Sequence, residues 1–94
     1  MRCDSILFSG HALIRMFERG VNKNTVIAAV TRGETVVNYS DDRPYPSRLL
    51  LYFDNSTPIH VVVARDKKDY ACYVITAYIP DPRLWSADFK TRIQ

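Results

Sequence analysis

The stretch RLLLYFDNSTPIHVVVARDKKDYACYVITAYIP, residues 48–80, contains most of the predicted β-strands. Three of its runs are rich in β-branched and aromatic residues, a composition that is typical of β-strands. These runs cover residues 48–54, 58–66 and 70–80. Because the linkers DNSTP and RDKKD between them are short, we predict that neighbouring strands pair antiparallel. The last two runs are apolar on both faces, which predicts central strands that are covered on at least one side.

Towards the N-terminus, one more strand is predicted before these three. The run ETVVNYS, residues 34–40, has the same composition as the other strands. The segment SDDRPYPS, residues 40–47, then interrupts the pattern with two prolines and two aspartates, which predicts an ordered loop. The sheet is therefore predicted to be a four-stranded antiparallel meander.

Two helices are predicted upstream of the strands. Ser9 can cap a first helix over roughly residues 10–19, and Gly20 can end it. Asn22 can cap a second helix, which Gly33 ends. Apolar residues recur on one side of each helix at the spacing that is typical of a core-facing surface. The residues predicted to face the core are Leu13, Met16, Phe17, Val26, Ile27 and Val30.

The tail PDPRLWSADFKTRIQ, which starts at Pro80, is predicted to be irregular, with Trp85 and Phe89 anchoring it to the body. A chain of 94 residues is long enough for one domain only, so residues 1–94 are assigned to a single unit. The predicted fold class is α+β, with two N-terminal helices packed on a four-stranded antiparallel β-sheet.

Composition indicates an ordinary globular protein with a mild positive charge. Apolar residues make up 47% of the chain and charged residues 24%, and the formal net charge is +3. Arginines outnumber lysines, and guanidinium groups favour phosphate and carboxylate ligands, so a polyanionic partner fits the charge. No apolar run resembles a signal peptide or reaches the length of a membrane span, so we expect a cytoplasmic protein without a membrane partner.

The sequence offers no motif for a cofactor or a metal ion. Cys3 and Cys72 stand far apart without a CxxC or Cys/His cluster, which argues against a zinc site, and Cys72 is predicted to be a buried small hydrophobic residue. A glycine-rich phosphate loop, a GxSxG or HExxH motif and an EF-hand-type carboxylate cluster are also missing. We therefore expect no cofactor and no metal ligands.

The first helix carries one candidate site. His11 and Arg15 are four residues apart, so both can contact one anion, and Arg19 follows one turn later. Glu18 can instead pair with Arg15, in which case this side of the helix is only a solvated polar surface. The spacing leaves both interpretations open.

A second candidate is His60, which lies among β-branched residues of a predicted central strand. It needs a hydrogen-bond partner or an aqueous cleft, because an unpaired polar group is costly to bury. A cleft shared with His11 is one arrangement that would meet this need. The chain also holds six tyrosines, Tyr78 among them, and tyrosines interleaved with arginines suit single-stranded RNA. The arginines predicted at strand ends and loops are Arg43, Arg48, Arg65 and Arg83.

A set of short motifs runs along nearly the whole chain. The most specific one, S-x-H-A-x-x-R-M-x-E-R-G, occupies residues 9–20. The others are G-E at 33–34, D-D-R-P-Y-P at 41–46, P-I-H-V-V at 58–62, I-T-A-Y at 75–78 and P-D-P-x-x-W at 80–85. In these motifs and their order the chain resembles a family of short bacterial proteins catalogued as domain of unknown function forty-two fifty-eight.

This resemblance implies a function. Members of that family resemble the RelE/barnase/colicin-like toxins of bacterial toxin–antitoxin systems, which share helices followed by a four-stranded antiparallel sheet. They are often encoded beside a small antitoxin-like protein with a zinc-finger portion. The resemblance thus implies a toxin that cleaves RNA without a metal ion, with RNA as its substrate and an antitoxin of that kind as its partner.

On this hypothesis each candidate residue has a role. RNA can be cut by attack of its own 2′-hydroxyl if the protein supplies a base, an acid and a cation. We assign proton transfer to His11 and His60 and the phosphate to Arg15, with Tyr78 as a further acid or a stacking residue. The cations expected to bind neighbouring phosphates are Arg19, Arg65 and Arg83.

Two other functions stay open on the sequence alone. A non-catalytic module could bind RNA or protein through the surface with His11 and Arg15, with Trp85 and Phe89 in the interface. A ParE-like toxin of the same fold could act on a protein target such as gyrase. The sequence also leaves open a homodimer, the RNA sequence preference and dependence on the ribosome.

Overall fold

The chain folds into two helices and one five-stranded sheet, and the computed structural model describes all of residues 1–94. The elements in chain order are β1 (Ser5–Phe8), α1 (Gly10–Glu18), α2 (Lys23–Arg32), β2 (Glu34–Tyr39), β3 (Ser47–Asp54), β4 (Thr57–Arg65) and β5 (Ala71–Tyr78). The strand order across the sheet is β1-β5-β4-β3-β2. Both helices lie on one face, where α1 contacts β5 and α2 contacts β3 and β4.

The prediction of a four-stranded antiparallel sheet is wrong. β2, β3, β4 and β5 pair antiparallel, but β1 adds a fifth strand that runs parallel to β5, with Ser5 opposite Ala71 and Phe8 opposite Val74. The sheet is therefore mixed, and it is not the RelE/barnase-like sheet that we expected. The sequence conceals β1 because SILF has only four residues, too few to show a strand period, and its partner strand is distant along the chain.

Both helices begin at the predicted caps. The Ser9 hydroxyl accepts a hydrogen bond from the Ala12 amide at 3.0 Å, and the Asn22 side chain accepts one from the Thr25 amide at 2.8 Å. Gly20 follows α1 with a φ of +69°, a left-handed conformation that glycine adopts readily. Neither helix has the length and the apolar character that crossing a membrane requires.

The core lies between the helices and the sheet, and α1 faces it with a different stripe from the predicted one. Ala12 and Met16 are its buried residues, whereas Leu13 is 40% exposed and Phe17 is 88% exposed. The small Ala12 side chain allows close approach to β5, which turns Leu13 and Phe17 towards solvent. In α2, Val26 and Val30 are buried as expected, whereas Ile27 is only partly buried. The sheet contributes Leu50, Ile59, Val61, Val63, Val74 and Ala77.

The tail, residues 79–94, crosses the face of the sheet that the helices leave free. Trp85 is 8% exposed, and a bridge pairs it with Arg92. Lys90 forms an ion pair with Glu34 on β2 at 2.9 Å, and the ring of Phe89 packs edge-on against Phe53 of β3. The tail therefore covers only part of this second face, and the remainder stays open.

A disulfide joins Cys3 to Cys72, with 5.7 Å between their Cα atoms. The prediction that Cys72 is buried is confirmed, but the residue is not a free thiol. The bond ties the segment before β1 to the start of β5. It could not be inferred from spacing, because parallel pairing of β1 with β5 is what brings the two residues together.

Candidate functional site

The uncovered part of the second sheet face forms a groove. It consists of two adjoining cavities of about 740 Å³ and 540 Å³, which share Asp42 and Ile75. We call them together the open groove. Its larger half is lined by Asn38, Tyr39, Ser40, Asp41, Asp42, Ser47, Val62, Ile75 and Thr76. Its smaller half is lined by Asp42, Arg43, Pro44, Tyr45, Ala64, Tyr73 and Ile75.

Aromatic rings and a strand irregularity shape the groove. Tyr45 stacks on Tyr73 with 5.5 Å between the ring centroids and an interplanar angle of 11°. The negative charge of Asp66 raises the pKa of Tyr45, which therefore keeps its phenol proton. A bulge in β5 gives Ile75 no partner on β4, because Val62 pairs with Thr76 and Val63 with Val74. Ile75 and Thr76 consequently both line the groove.

His60 lies fully buried beside one end of the groove. Its Nε2 atom is 2.9 Å from the carbonyl oxygen of Phe89, and its Nδ1 atom is 3.3 Å from the hydroxyl oxygen of Tyr78. A carbonyl can only accept, so Nε2 carries the proton and Nδ1 is left to accept from the Tyr78 hydroxyl. The Trp85 ring packs edge-on against the imidazole at 4.6 Å between centroids, which fixes the ring plane.

Burial keeps both members of this pair uncharged. It lowers the pKa of His60, and the hydrogen bond to the Phe89 carbonyl offsets this only in part. Burial likewise raises the pKa of Tyr78, and the neighbouring Tyr39 raises it further. The positive charges of Arg92 and Arg19 act in the opposite direction on the same phenol. Near neutral pH the pair is therefore a neutral imidazole accepting from a neutral phenol.

Arg19 reaches this pair from the helix face by passing over the edge of the sheet. Its guanidinium group donates to the Thr76 hydroxyl at 3.0 Å and to the Ala77 carbonyl at 3.1 Å. The Arg19 side chain can reach β5 because β1 ends opposite Val74. The residues of β5 that follow Val74 therefore have no neighbouring strand on that side. We call Tyr78, His60, Arg19, Arg92 and Tyr39 the Tyr78 site.

Arg92 approaches the Tyr78 site from the tail. Its guanidinium carbon lies 5.8 Å from the centre of the Trp85 ring, and its Nε atom donates to the carbonyl of Gln94 at 2.7 Å. The same Trp85 ring also packs on His60, so this one side chain of the tail links the Arg92 cation to the buried imidazole. No sequence pattern points to Arg92, because it stands in an irregular segment without periodicity.

The residues that sequence reasoning selected are spread over the molecule. His60, Tyr78 and Arg19 lie together in the Tyr78 site. His11 is exposed on α1, makes no hydrogen bond and does not meet His60, which lies on the other face of the sheet. Arg15 is also exposed, and its guanidinium lies 3.9 Å from the Glu18 carboxylate.

The last two predicted cations lie away from the Tyr78 site. Arg65 is the last residue of β4, whereas His60 lies near the middle of that strand, and Arg65 donates to the carbonyl of Arg2 at 3.1 Å. Arg83 forms a two-pronged pair with Asp81 in the tail. No three histidine, cysteine, aspartate or glutamate side chains are grouped so that they could hold a metal ion.

Comparison with known proteins identifies the family. The sequence profile of a domain of unknown function, DUF4258, matches residues 8–79. The chain belongs to the DUF4258 family. No curated protein and no solved structure matched it. Within this DUF4258 protein, the match includes α1, α2 and the strands β2 to β5, and so takes in Arg19, Tyr39, His60 and Tyr78. Arg92 lies beyond the matched residues.

Proposed function

We propose that this DUF4258 protein binds single-stranded RNA along the open groove and cleaves it at the Tyr78 site without a metal ion. The observation that supports this most is the buried pair of Tyr78 and His60, whose phenol oxygen and Nδ1 atom are 3.3 Å apart. Arg19 is held on the adjacent Ala77, and Arg92 lies over the Trp85 ring that packs on His60. A phosphodiester needs cations for its charge and a proton acceptor near its 2′-hydroxyl. The Tyr78 site has both kinds of group.

The proposed reaction is an internal transesterification. The 2′-hydroxyl proton moves to the Tyr78 oxygen while the Tyr78 proton moves to Nδ1 of His60, and the 2′ oxygen forms a bond to phosphorus. The bond from phosphorus to the 5′ oxygen breaks, and the leaving oxygen takes a proton from water. The hydroxide that remains is neutralised by the proton that His60 returns through Tyr78, which restores the neutral pair. The products are a 2′,3′-cyclic phosphate and a 5′-hydroxyl. The Phe89 carbonyl, which accepts from Nε2, stabilises the imidazolium ion formed in this step.

The cations of the site suit the charge that develops on phosphorus. Arg19 is fixed by two hydrogen bonds to β5, so its guanidinium needs little reorganisation to hold a phosphate oxygen. Arg92 is held over the Trp85 ring. Both can therefore stabilise the extra negative charge of the pentacoordinate transition state.

The remainder of the groove suits bases more than phosphates. Tyr39 and the stacked pair of Tyr45 and Tyr73 offer aromatic rings on which unpaired bases can stack. Asp41 and Asp42 would repel a phosphate, but their carboxylates can accept hydrogen bonds from the amino groups of bases. We therefore infer a strand with its bases turned into the groove.

The decisive experiment is RNA cleavage by Tyr78→Phe with EDTA present. Removing the hydroxyl should lower the cleavage rate by about 100-fold or more, which is the usual contribution of a positioned acid or base. Tyr52→Phe is the matched control, because Tyr52 lies on the helix face of the same sheet and makes no side-chain hydrogen bond. Cleavage by Tyr78→Phe at the wild-type rate would contradict the proposal. So would an absence of EDTA-resistant cleavage by the wild type.

A pair of arginine variants separates the Tyr78 site from the surface with His11 and Arg15. Arg19→Gln should slow cleavage by about 10-fold or more, because it removes a cation beside the reacting phosphate. Arg15→Gln, one helical turn away and paired with Glu18, should cleave like the wild type. If Arg15→Gln slowed cleavage and Arg19→Gln did not, the catalytic role would instead belong to the exposed side of α1 that carries His11.

We propose a second function, binding of a protein partner, on the basis of the outer side of α1. Leu13, Ile14 and Phe17 are 40%, 61% and 88% exposed and follow each other at helical spacing. Because His11 and Arg15 flank them, the surface suits an apolar helix that carries acidic residues. The family resemblance suggests an antitoxin with a zinc-finger portion in this position.

Expression in a bacterium tests this second function. We expect growth arrest by the DUF4258 protein alone and rescue when the protein encoded beside its gene is co-expressed. Phe17→Glu should abolish the rescue and leave RNA cleavage unchanged. If binding is the only function, the complex will form with undiminished RNA. Growth arrest with intact RNA and damaged DNA would instead indicate a protein target such as gyrase.

A further inference from the structure

A third, smaller cavity lies at the end of the sheet where β2 and β4 finish and β3 begins. Its volume is about 190 Å³. Arg48, Arg65 and Lys67 contribute three cations to its wall, and no carboxylate lines it. We call this cavity the basic pocket. The polar groups that complete it are Asn38, Ser40 and Ser47.

The positive charge of the basic pocket is not neutralised within the fold. The four ion pairs of the protein use Arg2, Arg15, Arg83 and Lys90, none of which lines the pocket. Three like charges around a small cavity repel one another, and an anion among them would relieve that repulsion.

The hydrogen bonds of these cations leave their charge available. Arg65 donates to the carbonyl of Arg2 at 3.1 Å, and Arg48 lies 3.4 Å from the hydroxyl of Thr35, so both acceptors are uncharged. Lys67 is exposed and makes no side-chain hydrogen bond.

The nearest acidic residue in sequence, Asp66, is engaged elsewhere. One of its oxygens accepts from the Lys68 amide at 2.9 Å, and its charge acts on Tyr45 in the open groove.

The basic pocket adjoins the open groove. Asn38, Ser40 and Ser47 line both cavities. The Ser47 hydroxyl donates to Asp42 at 2.6 Å, which holds that carboxylate on the groove side. An RNA strand that leaves the open groove past Asn38, Ser40 and Ser47 passes from a region with carboxylates to one with cations.

We propose that the basic pocket binds a phosphate group, and that this phosphate belongs to the RNA strand whose bases occupy the open groove. Arg48 and Arg65 can each hold two phosphate oxygens, and Lys67 adds a point charge. The Asn38 amide and the Ser40 hydroxyl can donate to the remaining oxygens. The identity of the phosphate rests on the proposed RNA-binding function, whereas the anion site itself does not.

Titration with inorganic phosphate at low ionic strength tests the anion site directly. In NMR spectra of the full chain, phosphate should shift the backbone amide signals of Ser40, Ser47 and Lys67. The shifts should disappear in Lys67→Gln and Arg65→Gln. Lys68→Gln is the matched control, since Lys68 is exposed and does not line the pocket, and it should respond like the wild type. An unchanged spectrum of the wild type would overturn the site.

Binding of a 2′-O-methylated RNA oligonucleotide, which cannot be cleaved, tests the source of the phosphate. The Arg65→Gln, Lys67→Gln double variant should bind about 10-fold more weakly at low salt. The slope of log Kd against log salt should fall by about 0.7, as expected when one single-strand phosphate contact is lost. If Arg65→Gln fails to fold, Lys67→Gln alone should still weaken binding more than Lys68→Gln does.

The outcomes keep the two proposals apart. Phosphate binding without an effect on RNA affinity overturns the RNA path and leaves the anion site. Loss of RNA affinity in the pocket variants, alongside wild-type-like cleavage by Tyr78→Phe, refutes the catalytic assignment and leaves the phosphate subsite standing. Equal loss in Lys68→Gln and Lys67→Gln reduces the effect to overall charge and overturns the subsite.

Discussion

At the scale of single residues, His60 and His11 show how position decides the chemistry of one side chain. His60 is enclosed by Trp85, Tyr78 and the tail, and each of its ring nitrogens has one partner with a fixed role. His11 is exposed on α1 without a hydrogen bond. Only His60 therefore has a defined tautomer, which is what a proton relay through a neighbouring phenol requires.

The buried imidazole predicts a pH dependence of stability. Because the pKa of His60 is lowered on folding, protons bind more tightly to the unfolded chain. The contribution of His60 to the free energy of unfolding should therefore be constant above about pH 6.5 and fall as the pH drops from there towards the lower pKa of the folded state. Urea titrations at a series of pH values measure this fall.

Two controls identify His60 as the source of the fall in stability. His60→Asn should remove the fall that begins below about pH 6.5, even though it lowers stability at all pH values. His11→Ala should keep it. Asp81 and Asp88, whose pKa values are lowered by hydrogen bonds to Arg83 and Ser86, act only at more acidic pH. A fall that persists in His60→Asn would contradict the assignment.

The sequence predicts that His60 needs a partner, but it identifies neither of the two partners that the fold provides. The register at the turn, with Arg65 opposite Cys72, would place His60 opposite Ala77, and it is the bulge at Ile75 that shifts its partner to Tyr78. Phe89 comes from an irregular tail, and the contact of Arg19 with Thr76 joins residues 57 positions apart in sequence. Contacts of this kind depend on the packed fold and leave no local pattern.

Among the elements of the fold, α1 is a helix whose core-facing side is difficult to predict from sequence. Five of its nine residues are apolar, Ala12, Leu13, Ile14, Met16 and Phe17, so its apolar surface extends over more than one stripe. Sequence pattern alone favours the larger side chains for the core. Packing on β5 instead selects the narrow stripe of Ala12 and Met16, which leaves an apolar side available for a partner.

The next prediction concerns Gly33, the residue between the end of α2 and the start of β2. A Cβ atom on Gly33 would collide with the carbonyl oxygen of Ala29 and lie 3.1 Å from that of Leu51 on β3. Gly33→Ala should therefore lower the free energy of unfolding by about 1–3 kcal/mol, the usual effect of overpacking. Chemical denaturation measures it.

Gly10 provides the matched control for Gly33. A Cβ atom on Gly10 would meet nothing within 4 Å, and the residue opens α1. Gly10→Ala should leave stability unchanged or raise it by up to about 1 kcal/mol, because alanine is the better helix former. Equal destabilisation by both substitutions would show that the close approach at Gly33 does not matter.

At the scale of the whole molecule, the two faces of the sheet have different tasks. The helices cover one face and supply the core, and the tail covers part of the other and stops at the Tyr78 site. The uncovered remainder is the open groove, which the basic pocket extends around the end of the sheet. The net charge is only +3, but cations are concentrated at two places next to the open groove, the Tyr78 site and the basic pocket.

The last prediction concerns the disulfide, which closes most of the chain into one loop. Cys3 and Cys72 are 69 positions apart, and a cross-link over such a loop lowers the entropy of the unfolded chain by an amount worth about 4 kcal/mol. The bond also secures β1, a strand of four residues at the edge of the sheet. A reductant such as TCEP should therefore lower the free energy of unfolding by about 2–4 kcal/mol in urea titrations. Cys3→Ala should show the same loss without reductant and no further change with it, since Cys72 then stays a buried thiol. Equal stability of the oxidised and reduced wild type would mean that pairing of β1 with β5 already restricts the ends of this loop in the unfolded chain.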